Sequence, residues 1–138
     1  MVVTTDLRLQ TEGNCDIVDI TARVRDAVQI SGLSDGTVTI FCPGSTGSVS
    51  TIEYEPGALH DLEQVLETIA PSDRDYQHHL RWGDDNGHSH VRSALMGPSL
   101  TVPFVDRRMT LGTWQQIVFL DFDTRPRSRN LVLQVMGE

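Results

Sequence analysis

Short apolar runs that repeat every two residues are the feature that most limits how this chain can fold. In residues 3–10, for example, Val3, Leu7 and Leu9 fall on the same side of an extended chain. This repeat is typical of a β-strand with one buried face. Gly- and Pro-containing segments separate several of the runs and predict turns there. The predicted strands cover residues 3–10, 37–42, 48–54, 100–104, 117–122 and 131–135.

Three stretches repeat instead every three or four residues, which predicts helices. The first begins near Asp19 and ends at Gly32, a residue suited to a helix C-cap. The second spans 56–70, where Pro71 ends it, and the third is a short helix over 87–96. The residues of this third helix predicted to face the core are Val91, Ala94 and Leu95.

Many strands with few helices predict a single α+β domain over residues 1–138, built around a mostly antiparallel sheet. A chain of this length is the size of one ordinary domain. Because so few helices are available to cover the sheet, faces and edges stay exposed, and we expect the chain to form oligomers.

The charge of the chain excludes several classes of function. All 11 basic residues are arginines, 19 residues are acidic, and the net charge is −8. An acidic surface repels nucleic acids and anionic membranes, and the sequence shows no basic cluster to override this locally. The absence of lysine excludes Schiff-base chemistry and a P-loop. A bound phosphate would therefore be held by Arg, His, backbone N–H groups or a metal.

The sequence contains no recognisable membrane span, signal peptide or cysteine motif. No apolar stretch reaches the roughly 20 residues that span a bilayer, and the N-terminus does not resemble a signal peptide, so we expect a cytoplasmic protein. Cys15 and Cys42 lie 27 positions apart without a CxxC spacing. We expect both to be small buried residues rather than zinc ligands, disulfide partners or nucleophiles.

A histidine-rich segment, residues 76–92, is the first candidate for chemistry. It contains four of the five histidines. Histidine is the usual neutral metal ligand and proton carrier near pH 7. His88 and His90 point to one side if the chain is extended; if a helix begins near Gly87, they lie in its first turn beside free N–H groups, with Arg92 one turn on. This predicts a phosphate or metal pocket, the alternative being a solvated loop whose histidines cap turns.

Two further segments offer weaker candidates. The 43–48 segment is a potential anion loop, with Ser45 and Thr46 as donors, or a plain hairpin turn. Glu53, on the following strand, is a candidate for binding Mg²⁺ or a hydroxyl, or lies on the wet side of an edge strand. Trp114 and Gln115, expected in a strand, could stack on and hydrogen-bond a flat heterocycle, or simply be core and surface residues. No GxSxG motif supports a Ser-His-Asp triad.

The segment from Asp84 to Pro103, DDNGHSHVRSALMGPSLTVP, closely resembles the signature of the YjbQ-like family. LGTWQQI at 111–117, Phe122-Asp123 and the terminal Val135-Met136-Gly137 continue the resemblance in the same order. It covers essentially the whole chain.

The resemblance implies a single α+β domain with bifurcated, coiled antiparallel sheets and two or three helices, assembled as a homotrimer. It also implies a histidine-rich pocket that binds a divalent metal, Mg²⁺ or Zn²⁺, and a phosphorylated small molecule. The activity implied is that of a thiamine-phosphate synthase, which joins a pyrimidine diphosphate to a thiazole phosphate and releases diphosphate. Metal, Arg and helix N–H groups would stabilise the leaving diphosphate.

Carried onto this sequence, the resemblance assigns roles to individual residues. The expected catalytic residues are His78, His90, Arg92 and Glu53. The expected metal ligands are His78, His88, His90 and Asp84. The expected substrate-binding residues are Ser45, Thr46, Asn86, Gly87, Trp114 and Gln115.

One departure from the family pattern qualifies the expected activity. Many relatives carry a histidine where this chain has Gly44. An alternative is therefore a non-catalytic protein that binds a small molecule, phosphate or metal in the same histidine-rich pocket. A purely structural trimer is a third reading, although such a scaffold has no need of clustered histidines.

Overall fold

A computed structural model describes residues 1–138, and the side chains of all of them except Arg81 and Trp82. The strands are β1 (Val2–Thr11), β2 (Asp16–Asp19), β3 (Gly36–Phe41), β4 (Gly47–Ile52), β5 (Ser99–Val105), β6 (Arg108–Met109), β7 (Gln116–Asp121) and β8 (Arg127–Gly137). The helices are α1 (Thr21–Ser31), α2 (Pro56–Ile69), α3 (Gln77–Trp82) and α4 (Gly87–Met96).

The strands form two antiparallel sheets. The larger sheet has the order β1-β8-β3-β5-β6, and the smaller has the order β2-β7-β4. The long strands β1 and β8 pair along their whole length, from Val2 opposite Met136 to Thr11 opposite Arg127. The prediction of an α+β fold with antiparallel, curled sheets is confirmed.

Strand β7 has both faces buried and divides the core into two clusters. Ile117 and Phe119 pack with α1 and the inner face of the larger sheet. Val118 and Leu120 point the other way and pack with residues of α2 and with Met96 of α4. The alternation of side chains along a strand produces this division. The helices that carry the histidine-rich segment therefore lie on the outer side of the smaller sheet.

The observed elements differ from the predicted ones in several places. Strands β2 and β6 were not predicted, and β8 begins at Arg127 rather than near residue 131. Strand β4 ends at Ile52, so Glu53 lies beyond it. Segment 77–82, which lacks a clear apolar repeat, forms the extra helix α3. Trp114 and Gln115 precede β7 rather than lying in a strand.

The inward face predicted for α4 is wrong. Val91, Ala94 and Leu95 are exposed, whereas the buried side is polar. Helix α4 packs on β4 through hydrogen bonds between side chains and backbone: Ser93 donates to the Gly47 carbonyl at 2.7 Å, and Ser48 donates to the Ser93 carbonyl at 3.1 Å. The buried residues of α4 are Gly87, His88, Ser89, Arg92 and Ser93.

Cys15 and Cys42 are both buried free thiols. Burial raises the pKa of the Cys15 thiol to about 11 and also raises the pKa of Cys42, so both stay protonated at neutral pH. Among the described residues, no helix combines the length and the apolar character needed to cross a bilayer.

Candidate functional site

Helices α3 and α4 enclose a cavity of about 360 Å³, which we call the histidine cavity. Helix α3 ends at Gly83, whose left-handed φ of 68° suits glycine. Helix α4 starts at Gly87, where a Cβ would lie 2.5 Å from the Cβ of Tyr76. Only glycine permits this close approach of the two helices. The residues lining the cavity are Arg74, Asp75, Tyr76, Gln77, His78, Gly87, His90 and Val91.

Two histidines face each other in this cavity. The ring centroids of His78 and His90 lie 4.6 Å apart, with 37° between the ring planes. Nδ1 of His78 lies 2.9 Å from Oδ1 of Asp84. This is an ion-pair distance, but the angle is not that of a formed hydrogen bond, and this buried Nδ1 has no hydrogen-bond partner. The structure thus places His78 next to His90 on one side and next to Asp84 on the other.

The fourth expected ligand, His88, lies apart in the interior. Its side chain is 4% exposed and packs against Tyr76, with ring centroids 6.3 Å apart. Burial, aided by the charge of Arg92, lowers the pKa of His88 below its ordinary value of 6.5, so the ring is neutral at pH 7. Three buried polar atoms in this region lack hydrogen-bond partners among the described side chains: Nε2 of His79, Nδ1 of His88 and Oδ1 of Asn86.

Arg92, an expected catalytic residue, is buried and engaged elsewhere. Its Nε donates to the Ala70 carbonyl at 3.0 Å, and its Nη2 lies 2.7 Å from Oε2 of Glu67. These contacts join α4 to α2 and engage two of the three guanidinium nitrogens, Nε and Nη2. The residue does not line the histidine cavity. Its position fits a bracing role between the two helices.

A network of hydrogen bonds and ion pairs around Asp123 contacts Asn86, the residue that precedes α4. Asp123 receives hydrogen bonds from Thr46 at 3.2 Å, from Arg127 at 2.5 Å and, at the long distance of 3.5 Å, from Nδ2 of Asn86. Arg129 in turn donates to Thr46 at 2.8 Å. Thr46 is therefore committed to this network.

Glu53, an expected catalytic residue, and three of the expected substrate-binding residues lie away from the histidine cavity. Ser45 is exposed in the β3–β4 loop. Glu53 and Trp114 line an open cavity with Asp19, away from the histidines. Gln115 accepts the Gly112 N–H at 3.0 Å and donates to Thr51 at 3.1 Å, so it braces the segment before β7. Neither the Glu53 cavity nor the Gln115 contacts include a residue of the histidine cavity.

The histidine cavity fits a metal ion only as an open site. Among the residues that the structure describes, no three His, Cys, Asp or Glu side chains are grouped so as to hold a metal. His78 and His90 would supply imidazole nitrogens, and Asp84 is placed behind His78. A carboxylate behind a ligating histidine is the usual supporting arrangement in metal sites.

Sequence reasoning missed the contribution of Asp123 and Tyr76. Asp123 lies in a polar turn, and nothing in the local pattern shows that it is 4% exposed and receives several hydrogen bonds. Tyr76 precedes α3 and lies beside buried His88 and half-buried His79, with its ring centroid 6.1 Å from that of His79. A tyrosine beside a run of histidines is the only local signal of this packing.

The family model for "UPF0047 protein YjbQ-like" matches residues 5–138. The chain belongs to the YjbQ-like family. A UPF0047 protein of Methanothermobacter thermautotrophicus is 37% identical over 137 residues, which is 99% of this chain and 94% of the relative. The UPF0047 protein YugU of Bacillus subtilis is 30% identical over 132 residues, 95% of this chain and 97% of the relative.

Solved structures of this family share the fold closely. A YbjQ-like protein of unknown function from Sulfolobus solfataricus superimposes with a TM-score of 0.94 at 28% identity, covering 100% of this chain and 99% of that one. An uncharacterised conserved protein of the YjbQ/UPF0047 family from Clostridium acetobutylicum gives 0.88 at 32% identity, covering 96% and 99%.

The expectation of a thiamine-phosphate synthase is wrong. The family model and the relatives carry descriptions of uncharacterised proteins and name no such activity. Arg92, which was expected to meet the phosphates, is bound to Glu67 and Ala70 instead. The alternative, an uncharacterised binding protein that uses the histidine-rich pocket, agrees better with these findings.

Proposed function

We propose that this protein binds a divalent transition metal ion, of which Zn²⁺ is the best match, in the histidine cavity. The observation that carries the proposal is the approach of the His78 and His90 rings to 4.6 Å on two neighbouring helices. Imidazole nitrogens suit Zn²⁺, whereas Mg²⁺ prefers oxygen ligands. The metal, when bound, would supply a Lewis-acid centre open to a further ligand.

Asp84 has a supporting role in this proposal. With its carboxylate 2.9 Å from Nδ1 of His78, a small rotation aims that N–H at the oxygen. The hydrogen bond then places the remaining nitrogen, Nε2, as the metal donor and makes it more basic. Asp84 is about half exposed, so this support comes at the edge of the cavity.

We also propose that several copies of the chain assemble through the apolar surface beside the histidine cavity. Val91 lines the cavity and is 40% exposed, and Leu95 lies one turn further along α4 and is 63% exposed. A homotrimer, as the family resemblance implies, would cover this apolar face beside the open site.

Zinc titration of the metal-stripped protein tests the site. Calorimetry with ZnCl₂ should show saturable binding, and His78→Ala and His90→Ala should each weaken it more than Asp84→Asn, which we expect to cost roughly 10- to 100-fold in affinity. His60→Ala, which removes an exposed histidine of α2, is the matched control and should bind as the unaltered protein does. Equal binding by all four variants would contradict the proposal.

A further inference from the structure

A second cleft, of about 310 Å³, lies between α1, the β5–β6 hairpin and the segment before β7. We call it the arginine cleft, because Arg25, Arg107 and Arg108 line it. Arg25 comes from α1, whereas the other two lie 82 and 83 positions further along the chain. The expectation from the sequence that no basic cluster exists is therefore incomplete, because the fold assembles one. Among the residues whose side chains are described, the cleft and the histidine cavity share no lining residue.

The charge of the arginine cleft is opposite to that of the molecule. The chain carries 19 acidic residues, but none of them lines this cleft. Within the side chains that the structure describes, the ion pairs take their cations from His78, Arg92, Arg127 and Arg129. Among the described side chains, Arg25, Arg107 and Arg108 are therefore not engaged in ion pairs. Such a local positive field in an acidic protein attracts a small anion.

Backbone contacts fix the hairpin that carries two of the arginines. Asp106 and Arg107 form its turn, both with positive φ, 49° and 63°. The Arg107 N–H donates to the Ser34 carbonyl at 2.8 Å, and the Arg107 carbonyl accepts from Nε2 of Gln29 at 2.7 Å. Gln29 belongs to α1, so the hairpin is bonded to the helix that carries Arg25. The cleft is therefore largely preformed.

The remaining walls suit an organic ligand with a phosphate group. Gln116 accepts the Tyr54 N–H with its Oε1 at 2.9 Å, which leaves its amide NH₂ as the group that can donate to a ligand. Met109 and Leu111 add apolar surface. A volume near 300 Å³ matches a small molecule rather than a polymer, and the net charge of −8 disfavours nucleic acid.

We propose that the arginine cleft binds a phosphorylated small molecule, with the guanidinium groups of Arg25 and Arg108 holding the phosphate oxygens. Arginine presents a planar fork of N–H donors that matches phosphate geometry in pairs. The histidine cavity is less suited to this ligand, because Arg74 and Asp75 line it side by side. The proposal does not depend on metal binding at the histidine cavity.

Calorimetric titration of the intact protein with inorganic pyrophosphate, in a buffer containing a chelator, tests this site. The unaltered protein should show saturable binding that weakens as salt is added. Arg25→Gln and Arg108→Gln should each lower the affinity roughly tenfold or more, since each removes hydrogen bonds to a charged group. Arg25→Lys keeps the charge but loses the planar pair of guanidinium N–H donors, so its affinity for pyrophosphate should lie between that of the unaltered protein and that of Arg25→Gln.

Arg23→Gln is the matched control for Arg25→Gln. Arg23 lies on the same helix, donates to the Arg8 carbonyl at 2.6 Å and lines a different cavity, while its loss changes the net charge by the same amount. This variant should bind pyrophosphate as the unaltered protein does. The proposal is overturned by absent saturation, by unchanged affinity in Arg25→Gln and Arg108→Gln, or by an equal loss in Arg23→Gln. Tighter binding of a single-stranded oligonucleotide would reassign the cleft to nucleic acid and likewise overturn it.

Discussion

Asp121 and Arg129 form an ion pair inside the protein, where charges are seldom found. The carboxylate is 0% exposed and receives two hydrogen bonds from Arg129, each 2.8 Å, and one from Thr11. Burial alone would raise the pKa of Asp121, but the hydrogen bonds from Arg129 and Thr11 outweigh it and hold that pKa below 3.8. The pair joins β7 to β8 across the two sheets.

Asp121→Asn should destabilise the protein by about 3–5 kcal/mol at pH 7, because it leaves the Arg129 charge buried without its partner. A lowered folded-state pKa means that the ionised carboxylate contributes its full stability above pH 3.8 and loses it as the pH falls below that value. The difference in free energy of unfolding between the two proteins should therefore shrink in acid. Urea unfolding from pH 7 to pH 3 measures it.

Asp61→Asn, which changes an exposed aspartate of α2, is the control for this series. It should unfold within about 0.5 kcal/mol of the unaltered protein at pH 7. A cost at Asp121 that stays constant down to pH 3 would show that the ionised pair is not its source.

Single residues of this kind mark the limit of sequence analysis. The two-residue repeat places Asp121 on the same side as Ile117 and Phe119, which correctly indicates an inward direction. It contains no information about which cation lies opposite. Arg129 lies only eight positions further along the chain, but β7 and β8 belong to different sheets. The ion pair therefore follows from how the chain passes from one sheet to the other rather than from a local motif.

At the scale of elements, the limits of α4 were predicted correctly, but the side of the helix predicted to be buried was wrong. The helix begins at Gly87 and ends at Met96 as predicted. Hydrophobicity predicted that Val91 and Leu95 face inward, but hydrogen bonds to the backbone of β4 and to the chain after β7 decide the packing. Ser89 donates to the Phe122 carbonyl and Ser93 to that of Gly47. Buried carbonyls need such donors, and small hydroxyl side chains let the helix come close.

Ser93→Ala should lower the free energy of unfolding by about 1–3 kcal/mol, because it leaves the buried Gly47 carbonyl without its side-chain donor. Ala94→Ser, the neighbouring change on the exposed side, should stay within about 0.5 kcal/mol. Thermal or urea unfolding of the two variants provides the comparison. Equal effects would mean that the polar face of α4 does not hold the helix in place.

At the scale of the whole molecule, the fold class was predictable and the sheet partners were not. Strand periodicity predicted six of the eight strands and missed the short strands β2 and β6. The hairpin turn considered for residues 43–48 is also wrong, because β3 and β4 lie in different sheets. Strand periodicity does not predict that β7 pairs with β2 and β4 in a separate sheet. Both faces of β7 are buried, so apolar and polar residues do not alternate along it in a way that would indicate its partners. The same limit applies to the histidine cavity: its segment was identified, but the separation of His88 from His78 and His90 depends on how α4 packs.

Exposed apolar residues on α2 and α4 lead to the last prediction, which concerns assembly. Ile69 is 53% exposed and Leu95 is 63% exposed, on helices joined by Arg92. If a homotrimer covers these two side chains, replacing both with Asp would bury two charges in the interface, which costs free energy because the charges lose their water. The double variant should therefore sediment as monomers in sedimentation velocity. Ile30→Asp on α1, where the isoleucine is 84% exposed, is the control and should leave the assembly intact. An unaltered protein that sediments as a monomer, or a control that dissociates equally, would show that α2 and α4 do not form the interface.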